Sequence, residues 1–103
     1  MTLQIDILYT RDCKDWEEAA RRVDEALGAL GLAGEFSYWL VDSDRKALEW
    51  GFVGSPTIRV NGEDLFPVRG AASGMRLRSY FTPEGMVGCP TLEMIIEALS
   101  QRL

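Results

Sequence analysis

Within its first 41 residues the chain sets two strand-like runs around one amphipathic helical run. That spacing restricts the folds open to it more than any other feature. Leu3–Tyr9 alternates, with Leu3, Ile5 and Ile7 on one side. Leu8 on the other side implies that both faces are partly covered, so the run reads as a central strand. In "DWEEAARRVDEALGALGL", Trp16, Ala19, Ala20, Val23, Leu27 and Leu30 recur at helical spacing. Asp15 followed by Glu18 fits a capping box, in which each side chain satisfies a free backbone N–H. Glu17–Arg21 and Glu18–Arg22 are i,i+4 pairs on the opposite side, and Gly31 and Gly34 bracket the exit. "EFSYWLV" follows and reads as a second strand. A strand, helix and strand joined in this way cross over right-handedly, which makes the two strands parallel.

The remainder adds an antiparallel part. Asp42 or Ser43 can cap a short helix over roughly 44–50. "GFVGSPT" breaks the pattern before a third strand, Thr57–Val60. Asn61-Gly62 is a two-residue hairpin signal, because both positions call for positive φ. Glu63–Phe66 is then the return strand, with Ile58 opposite Leu65. Residues 67–88, "PVRGAASGMRLRSYFTPEGMVG", are punctuated by Gly70, Gly74, Pro83, Gly85 and Gly88. They read as an irregular insertion holding a short strand in "MRLRSYF" and a turn at "TPEG", and a long insertion next to a site is often a lid. In the last helix Cys89 takes the cap, Pro90 the first helical position, and Leu92, Ile95, Ile96 and Leu99 the buried stripe. The order is β-α-β-α-β-β-(extra segment)-α. It predicts an α/β domain over residues 1–103, with a mixed sheet and helices on both faces.

Composition bounds the function. Apolar residues make up 47% and charged residues 26%, a balance that supports a packed core. The net charge is −5 and the nine arginines and two lysines are scattered, which disfavours nucleic acid and anionic membranes as partners. No apolar run reaches bilayer length. "MTLQIDILYT" reads as a strand rather than a signal peptide, so a reducing cytoplasm is the expected compartment. Two cysteines are too few for a disulfide framework. The chain contains no histidine, which excludes a Cys–His nucleophile pair and a Cys/His zinc site.

With Cys13 after the first strand, "GSPT" before the third and the Asn61-Gly62 hairpin, the chain resembles the thioredoxin/glutaredoxin superfamily. The resemblance implies a three-layer α/β/α sandwich. It also implies a cis Ser55–Pro56 bond facing the cysteine loop, with backbone groups there open to an extended substrate. "CKDW", "GSPT", "DLF" and "LRSY" are similar to small bacterial thioredoxin-family proteins, some of them described as alkylmercury-lyase-like. Two departures stand out. Lys14 occupies a position where that pattern has proline, and Leu77 one where it has cysteine, so the pattern's two-cysteine mechanism does not carry over.

Cys13 is the candidate nucleophile. Arg11, Lys14 and the following helix start favour a thiolate, while Asp12 and Asp15 oppose it. Trp16 fills the slot where a second cysteine of a short redox pair would stand. An unreactive turn cysteine is the alternative. Cys89, also before a helix, is a possible second thiol on the same rim. Cys13 is expected to be partly accessible and the more reactive of the two. Ser55, Pro56 and Thr57 are the candidate substrate-binding loop. Trp16 either packs on the sheet or stacks on substrate. Arg69, Arg76 and above all Arg78 are either solvated charges or an anion contact for a glutathione carboxylate.

Three functions are open. The first is monothiol-type thiol/disulfide chemistry at Cys13. Its substrates would be a small thiol or a protein or peptide disulfide, and glutathione or another small thiol would be the reductant. The second is a non-catalytic binding module. The third is soft-metal or organomercury handling through Cys13 and Cys89. No resident cofactor or metal is expected.

Overall fold

In the computed structural model, which describes residues 2–103, β1 (Thr2–Tyr9) lies at the centre of a four-stranded sheet. It pairs in parallel with β2 (Ala33–Leu40), Ile5 opposite Phe36. On its other side it pairs antiparallel with β3 (Thr57–Val60), Ile7 opposite Ile58. Asn61 (φ 51°) and Gly62 (φ 86°) turn the chain into β4 (Glu63–Asp64), and the Leu65 N–H donates to Ile58 O. The sheet order is β2-β1-β3-β4.

The alternation of β1 decides which helices cover which face. Ile5 and Ile7 are fully buried together with Val23 and Leu27 of α1 (Trp16–Leu30) and Ile95 and Leu99 of α3 (Leu92–Ser100). Leu8 points the other way, into a second cluster with Val41, Phe52 and Ala47 of α2 (Asp44–Glu49). Burying each such large aliphatic or aromatic side chain contributes about 1.5–3 kcal/mol. Helices therefore cover both faces of the mixed sheet, and the architecture is a three-layer α/β/α sandwich. Among the described residues, no helix is long and apolar enough to cross a membrane.

Several local expectations are corrected. The Asp15 side chain makes no cap bond, and no capping box forms. Glu18 instead accepts from both Arg21 and Arg22, because two guanidiniums outcompete a backbone N–H for one carboxylate. Arg21 pairs with Glu18 and Glu25 rather than with Glu17. α3 starts after Pro90: Thr91 is its cap, and its hydroxyl accepts from the Met94 N–H at 3.1 Å. Ser43 plays the same part for α2, accepting from the Lys46 N–H.

Residues 67–79 hold neither helix nor strand, and the regular part of the 67–88 segment lies at its end. It folds a small hairpin from β5 (Tyr80–Thr82) and β6 (Gly85–Val87). Thr82 closes the "TPEG" turn by accepting from the Glu84 N–H and donating to Gly85 O. That side chain supplies the bonds that Pro83 and Gly85 leave open.

Candidate functional site

Cys13 follows β1 and precedes α1 by two residues. Its N–H donates to Thr10 O at 3.2 Å, closing a tight turn. Thr10 in turn donates its N–H to Ser55 Oγ at 3.0 Å, a buried bond. The Thr10 hydroxyl is also paired with Asp12 Oδ1 at 2.6 Å. The Ser55–Pro56 peptide bond is cis. One serine side chain thus clamps the cysteine loop to the proline loop.

Cys13 is only 5% exposed, which corrects the expectation of an accessible thiol. Alongside its loop runs the 67–88 segment, whose Met75 and Arg76 border a cavity with Thr10, Arg11 and Asp12. The Ser55 N–H donates to Arg76 O and the Arg78 N–H donates to Ser55 O, both at 2.8 Å, with Leu77 bridged in parallel to Ser55. The Gly74 N–H donates to Phe52 O at 2.9 Å. Gly54 permits this approach: it sits at φ 143°, and a Cβ there would meet Arg78 Cβ at 2.8 Å. Tyr80 donates its hydroxyl to Pro56 O. Burial pushes the Tyr80 phenol well above its usual range, and both thiols lie within electrostatic reach of it.

The proposed substrate contacts are relocated accordingly. Ser55, Pro56 and Thr57 are buried, and Ser55 spends both backbone groups on the segment itself. Arg78 is not a surface anion contact. Its guanidinium donates to Asp64 Oδ2 at 2.9 Å and to Phe66 O, and it lies 4.7 Å from the Tyr80 ring centre. Arg76 folds back on Ala72 O. Arg11, Asp42 and Arg76 border an open cavity of about 330 Å³ beside the cysteine loop. Thr10, Asp64 and Tyr80 were not legible as site residues, because their roles depend on partners from 14 to 45 positions away.

Cys89 is also buried and, like Cys13, unpaired. Burial pushes its thiol up to about 11, against the Arg22 guanidinium, which pulls it down. Arg22 is held between Glu18 and Pro90 O. Gly88 lets the start of α1 close on this turn, since a Cβ there would lie 2.1 Å from Asp15 Oδ2. Trp16 is half-buried. Its ring stacks on Tyr9 with centres 4.2 Å apart and meets the edge of Tyr38. Among the described residues, no three His, Cys, Asp or Glu side chains are grouped to hold a metal ion.

No protein-family model matches the chain, and no solved structure matches it significantly. Among curated proteins, it is 26% identical over 102 residues to a protein named thioredoxin from Methanocaldococcus jannaschii. The aligned stretch covers 98% of this chain and 96% of that one. The fold is thioredoxin-like. The likeness supports the thioredoxin-like superfamily.

Proposed function

We propose that the protein carries out monothiol-type thiol/disulfide exchange at Cys13. The observation that supports this reading is the Thr10–Ser55 clamp, which ties the loop that carries Cys13 to the cis Ser55–Pro56 loop. The name of the Methanocaldococcus jannaschii relative agrees with a thiol role. In the reaction the Cys13 thiolate attacks one sulfur of a disulfide. A mixed disulfide forms, and the other sulfur leaves as a thiolate that takes up a proton. A small thiolate such as glutathione's then attacks the Cys13 sulfur of that mixed disulfide and expels the substrate's second thiolate, and a second small thiolate attacks the new mixed disulfide, forming the small-molecule disulfide and releasing the Cys13 thiolate. In sum, one substrate disulfide is reduced and two small thiols are oxidised to a disulfide. Trp16 in the position of a second short-range cysteine is the reason an external thiol must resolve the intermediate.

The test is glutathione-dependent reduction of a small disulfide by wild type, Cys13→Ser and Cys89→Ser. Loss of turnover in Cys13→Ser alone supports the reading. Equal rates in all three, matching the uncatalysed reaction, overturn it. The burial of Cys13 and the occupied Ser55 backbone favour a second reading, a non-catalytic binding module. Binding of a peptide that survives Cys13→Ser, with no turnover in wild type, would select it.

A further inference from the structure

Residues 75–78 are attached to the site in an unusual way. Their backbone lies along Ser55 as a strand would, using both the N–H and the C=O of that residue. Their side chains contribute little to the attachment: Met75 and Leu77 are exposed, and the Arg76 side chain turns back on its own loop. Arg78 alone is driven inward, onto Asp64, Phe66 O and Thr57 Oγ1. Two backbone bonds and one ion-paired anchor therefore hold the stretch. Detaching it would uncover almost no apolar core, the circumstance in which a segment opens without global unfolding. On the preceding side the chain is pinned by the Gly74 N–H on Phe52 O, with Gly70 at φ 75° beyond it, so the stretch would hinge at Gly74. Tyr80 lies two residues beyond, near both thiols and bonded to Pro56 O.

We infer that residues 75–78 are an autoinhibitory strap: an internal strand that occupies the Ser55 edge and closes Cys13 until Arg78 leaves Asp64. The inference rests on Cys13 being the exchanging thiol. Its ligand logic follows from the anchor. An extended peptide that pairs with Ser55 and offers its own arginine to Asp64 replaces every bond the strap makes, and it would open the thiol by competition. The negative charge of the protein favours such a basic partner.

The experiment reads access and chemistry separately, in a Cys89→Ser background. Access is the rate of Cys13 alkylation by iodoacetamide, followed by mass spectrometry. Chemistry is mixed-disulfide formation with glutathione disulfide. Arg78→Ala is expected to raise the alkylation rate about tenfold or more while cooperative unfolding is retained. An unchanged rate in folded Arg78→Ala overturns the strap. Should that variant not fold, hydrogen exchange on the unmodified chain decides. The Ser55 and Arg78 amides are expected to exchange together and faster than Ile5 and Ile7, whereas exchange as slow as Ile5 and Ile7 overturns the strap. Fast alkylation of Arg78→Ala without mixed-disulfide formation upholds the strap and sinks the exchange reading. Equally fast mixed-disulfide formation in both forms does the reverse.

Discussion

The Thr10 N–H donates to Ser55 Oγ at 3.0 Å, and both residues are buried. No other side-chain bond joins the cysteine loop to the proline loop among the described residues. In Ser55→Ala the Thr10 N–H keeps no partner, at a cost of about 1–3 kcal/mol. For a chain of this size that lowers the midpoint of thermal unfolding by about 4–8 °C for each kcal/mol. Differential scanning calorimetry measures the fall, and Ser55→Thr, which keeps a hydroxyl, should recover part of it.

Gly88 and Asp15 form a second close contact, between the start of α1 and the turn before α3. Gly88→Ala forces the Asp15 carboxylate to rotate away. Because that group is the end of a short, partly solvated side chain, the expected cost is modest, about 1 kcal/mol. The cost should largely vanish in an Asp15→Ala background. A double-mutant cycle by urea unfolding measures the coupling, and additive effects would place the strain elsewhere.

Glu18 is held down to about 2 by hydrogen bonds from Arg21 and then Arg22. Its folded value lies below its ordinary 4.5, so its contribution to stability is present above that value and is lost as pH falls toward 2. The group is exposed, so salt weakens the effect. Carboxyl NMR titration at low salt should give a midpoint near 2, rising toward the ordinary value in Arg21→Ala and further when Arg22 is also replaced.

Cys89 behaves with the opposite sign. Burial raises its thiol from 9.0 to about 11. Its stabilising contribution is whole below pH 9 and is lost as pH rises through 11, because only the unfolded chain releases the proton readily in between. Wild type should therefore lose stability over that window relative to Cys89→Ser, as read by urea midpoints at each pH. Alkylation of Cys89 should stay slow at neutral pH and climb only near the top of the window.

The legible part of the molecule is the part set by local spacing. Ile5 and Ile7 against Leu8 announce a strand covered on both faces, and Asn61-Gly62 announces its hairpin because a left-handed pair of residues is a local demand. The αL exit at Gly31 belongs to the same class. Arg78 was illegible for a reason that is equally physical. A charged residue in a polar stretch reads as solvated, and the return strand's Asp64, together with Phe66 O, makes its burial tolerable. Asp15 looked like a cap until Gly88, 73 positions on, gave its carboxylate another place to lie. Cys13 reads as accessible from its place in a turn before a helix, yet the tertiary fold leaves it only 5% exposed.

The sheet is built from the inside outward in space but not in time. β1 is synthesised well before its antiparallel partner, which begins at residue 57, and before the helix that seals Ile5 and Ile7, which begins at residue 92. A nascent chain stalled between those points carries a central strand with a bare edge or an uncovered apolar face. Such long-range closures are slow and leave surface open to other chains. The cost of putting the first strand in the middle thus falls on unfinished copies rather than finished ones.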